Sequence, residues 1–388
     1  MRKVYLDNAA ATKTDPRVVE AMVPYLSEIY GNPASLHQWG EAAKEDINEA
    51  RAKVAALIGA RPEEIIFTSS GSESNNLAIK GLAAARAKKG KHIVVSAVEH
   101  FSVLQAAKRL ATAGWDVTMV PVDENGLVDP SVVIAALRDD TVLVSIMHAN
   151  GEIGTIQPIA AIAEPVRARG IAFHTDAVAS AGTIPVNVDE LGVDALSLAA
   201  NQFYGPKGAA ALYVRHGVRV TPLIDGGIQE DGRRAGTENV AGIIGMGKAA
   251  ELSGAEMGTR AAKIAPLRDR LVAGLLGAME HTRLNGHPTM RLPGNAHIGI
   301  EYIEGESMLI MLDMAGVAAA SGSACTSRAL KASHVLAACG VPPEKIHGSL
   351  LFSFGKENDE ADVDYVIEVL PPIVARLRAM SPFAGEPG

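Results

Sequence analysis

Short apolar runs alternate with longer amphipathic stretches over the first part of the chain. Val4 to Leu6, Glu64 to Thr68, His92 to Ser96, Val117 to Pro121, Val142 to Met147, Ile171 to Thr175, Asp194 to Ala199 and Ala210 to Arg215 each read as a strand. Runs this short and this apolar suit strands buried on both faces. Between them apolar residues recur at helical spacing, as from Gly40 to Ile58. Asp15-Pro16 offers a capping carboxylate followed by a proline at the first helical position. Strand and helix in alternation predict a mostly parallel sheet covered on both faces. Active sites in such sheets lie beyond the carboxyl ends of the strands.

From about Met257 a long charged helix leads into a second region with a different pattern. Asn295 to Tyr302 alternates as a strand, Ser307 to Met314 reads as a helix, and Val317 to Ala320 and Gly348 to Gly355 read as strands. A closing helix, Glu360 to about Ala379, packs apolar residues at three- and four-residue spacing.

Composition narrows the classes. The chain has 388 residues, 48% of them hydrophobic, enough for two domains or one large one. A net charge of −8 argues against wholesale nucleic-acid binding. No apolar run approaches the roughly 20 residues that span a bilayer. The N-terminus has no apolar signal core, so a cytoplasmic location is expected. Cys325 and Cys339 are the two cysteines, which fits a reducing compartment better than a disulfide framework.

Candidate chemistry clusters at the expected strand ends. Ser69-Ser70-Gly71-Ser72-Glu73-Ser74 lies between a strand and a helix expected from Asn75 to about Lys88. Backbone N–H groups and hydroxyls at such a turn can hold a phosphate; a solvated serine turn with a cap is the plainer alternative. Glu99-His100, His148-Ala149-Asn150-Gly151-Glu152 and His174-Thr175-Asp176 follow or end other strands. A lone histidine is as readily a helix cap, and an aspartate a strand-end cap. Asn201-Gln202 precedes Gly205-Pro206-Lys207-Gly208. Gly226 to Asn239 reads as a long loop with no structure of its own. Ser321-Gly322-Ser323-Ala324-Cys325-Thr326-Ser327 gives one cysteine the small, flexible surroundings that a sulfur carrier or metal ligand needs. Cys339, in a helical Ala-Ala-Cys-Gly context, reads as inert.

In order and spacing these motifs resemble those of the cysteine desulfurases of NifS/IscS type, fold type I pyridoxal-phosphate (PLP) enzymes of the class V aminotransferase superfamily. The resemblance runs from Tyr5 to about Met380. It implies an α/β fold: a large domain, residues 15–256, with a mostly parallel seven-stranded sheet, and a smaller α+β domain, residues 1–14 and 257–388. It also implies that Ser70, Gly71 and Ser72 cradle the phosphate, that Asp176 pairs with the pyridine nitrogen, and that His100 lies beside the ring. Thr237 is expected to reach the phosphate of a neighbouring subunit, hence a homodimer. Cys325 is the expected sulfur-attacking cysteine, which becomes a persulfide.

Six positions depart from the family pattern. Gln202 stands where the family has the lysine that binds PLP as a Schiff base, and Asn201 where it has the adjoining histidine. Gly151 and Ala179 replace partners of the phenolic oxygen, and Ala199 a hydroxyl that reaches the phosphate. Leu351 replaces the arginine that grips the substrate carboxylate. An amide cannot form an imine, and Lys207 already fills the family's own Gly-Pro-Lys-Gly position. The expectation is a protein of sulfur transfer and Fe–S cluster assembly in which ordinary desulfuration is not retained. Cys325 carries a persulfide or ligates a cluster shared with a partner, and any PLP is held non-covalently, with Gln202 among its contacts. The expected partners are an Fe–S scaffold or sulfur acceptor. The alternative is an active PLP-dependent desulfurase, turning L-cysteine into L-alanine and an enzyme persulfide, or a related lyase. A cavity adapted to another ligand is the third reading.

Overall fold

The computed structural model describes residues 2–322 and 332–380. The first eight strands are β1 Val4–Tyr5, β2 Ile65–Thr68, β3 His92–Ser96, β4 Asp116–Val120, β5 Thr141–Ser145, β6 Ala172–Asp176, β7 Ala195–Ala199 and β8 Ala210–Val214. Seven of them form one sheet in the order β2-β8-β7-β6-β5-β3-β4. β8 is antiparallel to both neighbours, and the other six strands share one direction. The expected mostly parallel seven-stranded sheet is therefore present.

Side chains alternate across this sheet with the period of two that strands impose. Phe67, Val94, Val144, Phe173 and Leu196 face one core, with helices Gln38–Leu57 and Ile159–Ala168 over them. Ile66, Ile93, Val95, Leu143 and Leu212 face the other, against Leu77, Leu82 and Ala106. Burial on both faces is why these strands are continuously apolar. His174 is an exception that stitches three strands: its ring nitrogens meet Ser145 Oγ at 2.8 Å and Ser197 Oγ at 3.0 Å. Burial pushes its pKa down to about 3, so it stays neutral.

The remaining strands are β9 Thr282–Asn285, β10 Asn295–Ile300, β11 Val317–Ala318 and β12 Ser349–Ser353. β12, β10 and β9 make an antiparallel sheet, and β1 pairs in parallel with β11. A separate core gathers Val4, Leu6, Leu267, Leu271, Ile298, Phe352, Val366 and Leu370. One 39-residue helix, Val240–Ala278, serves both cores. Ile243 and Met246 pack under the large sheet, Leu267 and Leu271 in the second core. The boundary read between residues 256 and 257 thus falls inside a continuous helix.

Two local expectations need correcting. The helix after β2 starts at Gly71, not Asn75, because Ser70 caps it: its Oγ accepts from Glu73 N at 3.1 Å. The loop from Gly226 to Asn239 does have structure, a turn at Gln229–Gly232. Glu230 anchors it with a left-handed backbone, φ 50°. Its carboxylate accepts both arms of Arg51, each at 2.7 Å, and Phe67 N at 3.0 Å. Glu230→Ala leaves a mostly buried guanidinium unpaired, so urea denaturation is expected to show a loss of about 3 kcal/mol. A loss under about 1 kcal/mol, typical of exposed pairs, would contradict the anchoring role.

Candidate functional site

Because β2, β3, β5, β6 and β7 run the same way, the segments that follow them meet at one edge of the sheet. Ser70–Ser72, Glu99–His100, Asn150–Glu152, Asp176–Ala179 and Asn201–Gln202 come together there. The turn after β1, Arg260 of the long helix and Leu351 of β12 close the other sides. The result is a cavity of about 460 Å³.

Asp176 forms its floor, 4% exposed. Its oxygens accept from Asn75 Nδ2 at 2.6 Å and from Val178 N at 2.9 Å, both neutral donors. Burial raises its pKa, while the nearby His100 works in the opposite direction. Asn75 Nδ2 also donates to Ser102 Oγ at 2.8 Å, and that hydroxyl donates to His100 Nδ1 at 2.7 Å. Ser102 N donates to the same nitrogen at 3.1 Å. Nδ1 therefore accepts, which places a ring N–H on Nε2. His100 both lines the cavity and caps helix Phe101–Thr112.

The cradle stands at one end. Ser70, Gly71 and Ser72 all line the cavity at the start of the helix after β2. A Cβ on Gly71 would come within 2.7 Å of Val178 Cγ2, so the helix start packs directly on the turn after β6. Glu73 turns away from the cradle, accepting from Ser69 N at 2.8 Å and Arg234 Nε at 2.9 Å.

All six departing positions line this one cavity: Gly151, Ala179, Ala199, Asn201, Gln202 and Leu351. Gly151 and Ala179 adjoin, with 3.6 Å between Ala179 Cβ and the place a Cβ on Gly151 would take. Gln202 Nε2 donates to Ala9 O at 2.9 Å. Leu351 is buried on β12 opposite His297 of β10. No lysine lines the cavity among the described residues, and Lys207 is exposed outside it.

Thr237 is not brought to this cavity within one chain; it lies in a separate cleft with Thr68, Ser69 and Gly208. Cys325 lies outside the described residues. Both flanks of its segment, Ala320 with Gly322 and His334 with Val335, line the cavity. Glu152 anchors both flanks. Ser333 Oγ donates to Glu152 Oε1 at 2.5 Å, and a Cβ on Gly322 would be only 2.8 Å from that same oxygen. Gly322 is also at φ 92°, which glycine adopts without strain. Cys339 is buried, and burial raises its pKa to about 12, which keeps it a thiol. No group of three or more metal-binding side chains occurs among the described residues.

Sequence reasoning missed Asn75 and Arg260 as site residues, and named Glu99 and Glu152 only as members of motifs, without a role. Glu99 is fully buried, accepting from Ser96 Oγ at 2.6 Å and Met147 N at 2.7 Å, and burial raises its pKa to about 8. Burial likewise raises Glu152 to about 7. The available signal was a carboxyl three residues beyond an uninterrupted apolar strand, where no solvent could reach it.

The profile of the family described as Aminotransferase class-V matches residues 4–366. The chain belongs to this family. Within it the chain is of the NifS/IscS type. It is 53% identical to "Cysteine desulfurase IscS" of Methanosarcina thermophila, covering 98% of this chain and 94% of that one. It is 51% identical to the protein of the same name from Dictyoglomus turgidum, covering 99% and 98%. A solved structure titled "NIFS-LIKE PROTEIN" superposes with a TM-score of 0.91 at 36% identity, over 97% of this chain and all of the other.

The cofactor implied by this family can be tested against the residues present. Two ends fit. Asp176, buried among neutral donors, suits a pyridinium nitrogen, and the helix start at Ser70–Ser72 suits a phosphate. The aldehyde end does not fit, because a covalent link needs a lysine and the cavity wall offers Gln202.

Glu99 yields a pH prediction. Its folded pKa of about 8 lies above the ordinary carboxyl value, so the fold favours the protonated form. That stabilisation is complete below about pH 4 and is lost as pH rises through about 8. Glu99→Gln keeps a neutral group of the same shape. It is expected to flatten the decline in thermal stability between about pH 4 and 8 by at least about 1.4 kcal/mol, the worth of one pH unit. Parallel melting curves for the two proteins across that range would refute the raised pKa.

Proposed function

We propose that this NifS/IscS-type protein handles sulfur in Fe–S cluster assembly through Cys325, and that its cavity has lost the ordinary desulfuration. One observation carries the reading. The six departures share a single cavity wall, and both flanks of the Cys325 segment share it too. A desulfurase cavity needs a lysine to hold PLP and move protons, and an arginine to hold a carboxylate. Here those places are taken by an amide and a buried methyl-bearing side chain.

In this reading Cys325 receives sulfur already at the sulfane level. Its thiolate attacks the outer sulfur of a persulfide donor. The donor's S–S bond breaks, its thiolate leaves and takes up a proton, and Cys325 becomes the persulfide with no net oxidant required. A sulfur-acceptor protein or Fe–S scaffold then takes the sulfur, or shares a nascent cluster that Cys325 ligates. A homodimer is part of the proposal. Thr237 stands away from its own cavity, and the chain exposes Leu26, Tyr30, Leu36, Trp39 and Ile228. The second reading, an active enzyme on non-covalent PLP, draws on the retained Asp176 and cradle. When bound, PLP supplies an electron sink for bonds at the carbon bearing the substrate amine; of the residues here, Asp176 and Ser70–Ser72 would hold it.

Incubation with a low-molecular-weight persulfide is expected to add one sulfur to Cys325 by mass spectrometry, and Cys325→Ser to abolish this. Sulfide release from L-cysteine with added PLP and a reductant is expected to stay at background. Release that depends on Cys325 would instead establish the second reading. Gln202→Lys alone is expected to remain roughly a hundredfold or more below the Gln202→Lys/Leu351→Arg double variant. Each charged hydrogen bond of a carboxylate clamp contributes about 1.5–3 kcal/mol. Full activity in the single variant would show that Leu351 is immaterial.

A further inference from the structure

One edge of the large sheet carries a concentration of positive charge that sulfur handling does not use. The chain is acidic overall, at −8. Yet the acidic residue between Asn75 and Trp115 is Glu99 alone, fully buried at the cavity, and Arg215 to Ile224 has none. These segments meet where the parallel strands begin, at the edge away from the cavity. The helical stretch from Gly71 ends there at Arg86, and Lys88, Lys89 and Lys91 follow in the turn before β3. Helix Phe101–Thr112 ends there too, with Lys108 and Arg109 near its close. Lys91 O accepts from Asp116 N at 2.8 Å, which sets the two helix ends side by side. Arg219 joins them: its carbonyl accepts from Arg86 Nη1 at 3.5 Å, and Thr221 N donates to Gly81 O at 3.1 Å.

These cations are exposed and unspent. Lys88, Lys89, Lys91, Lys108, Arg109 and Arg219 all stand in solvent. Among the described residues, the lysines that pair with carboxylates are Lys53, Lys248, Lys345 and Lys356, all on other elements. The acids at this edge are committed: Asp116 and Asp140 to Arg138 at 2.9 and 2.7 Å, and Asp189 to Arg215 at 2.8 Å. Helix geometry explains only part of the pattern. Arg86 and Arg109, in last turns, complement the negative end of a helix dipole. Lys88, Lys89 and Lys91 lie beyond the helix and repel one another. No large apolar side chain stands exposed from Asn75 to Trp115 or from Arg215 to Thr221, so a second copy or a lipid layer finds no anchor here.

We propose that this edge is a docking surface for a short acidic segment of a protein partner, set apart from the cavity. The helical stretch Gly71–Arg86 separates the two by roughly 24 Å, at about 1.5 Å per residue. A partner held here leaves the mouth of the cavity open. Charge reaches only about 8 Å through physiological salt, so the local surface decides the attraction. A long polyanion would run off this patch onto acidic surface, whereas a short acidic segment stays within it. Single-stranded nucleic acid also needs aromatic faces to stack on. Trp115, at this edge, is half-buried against the core beneath. Ala84, Ala85 and Ala87 are exposed between the cations, so a partner backbone can come close. The inference stands whether or not Cys325 carries sulfur.

Fluorescence anisotropy of a short labelled oligoglutamate peptide, titrated with the full-length protein at low salt, tests this. Lys88→Glu/Lys89→Glu is expected to weaken binding about tenfold or more. Lys3→Glu/Lys44→Glu makes the same change in net charge at exposed positions elsewhere, and is expected to alter binding less than about twofold. Binding should fall steeply as salt is raised. Carbodiimide coupling of the bound peptide is expected to join its carboxylates to Lys88, Lys89, Lys91 or Lys108, read by mass spectrometry. Thermal melts confirm that both variants are folded, and the cross-link map needs no variant at all. Equal loss in the two variants overturns the proposal. So do cross-links spread over lysines elsewhere, or no binding at low salt. A short oligouridylate and vesicles of phosphatidylserine and phosphatidylcholine are titrated in parallel. Tighter binding of either one, lost in Lys88→Glu/Lys89→Glu, overturns the assignment to a protein partner.

Discussion

Asp176 is a carboxylate sunk at the sheet edge, hydrogen-bonded to two neutral donors, with His100 close enough to favour its charged form. Taking such a charge out of water costs more than two hydrogen bonds return unless a cation comes to meet it. The surrounding structure is arranged to keep it in place regardless. Asn75, from the helix after β2, gives one N–H to Asp176 and the other to Ser102. Ser102 passes its proton toward His100, and His100 closes the first turn of the helix after β3. Three strand–helix connections are thereby tied at one point. Shifting any one of them would break a hydrogen bond in another.

Gln202 and Leu351 face the same cavity as the acids Asp176, Glu99 and Glu152, and Gly151 and Ala179 offer it no hydrogen-bonding side chain. Burial is the leading cause of the raised carboxyl pKa values, without recourse to any unusual geometry.

Much of the fold could be read from the chain because parallel strands buried on both faces must be uniformly apolar, as Ile93 to Val95 and Val142 to Val144 are. β9 was not legible: Thr282-Arg283-Leu284-Asn285 is largely polar and forms a strand only because β10 lies beside it. The start of the helix after β2 was placed four residues late because a run of serines reads as loop, whereas Ser70 is the cap that begins the helix. The boundary near residue 256 was drawn where a long charged helix was expected to begin, at about Met257; that helix in fact begins at Val240 and runs straight through. In the site, residues belonging to motifs could be named in advance. The weight of Asn75 and Glu99 could not be judged, because it comes from burial, and burial arises only when five strand ends converge.

Glu152 links the cavity to the segment that carries Cys325. The carboxyl receives the Ser333 hydroxyl from one flank and packs against Gly322 on the other. Burial holds its pKa at about 7, so near neutrality it is divided between a carboxylate and an acid. As a carboxylate it is the stronger acceptor for Ser333. A cation entering the cavity favours that form and so strengthens the attachment of the returning flank. The charge state of the cavity and the footing of the two flanks, Gly322 and Ser333, are therefore one problem.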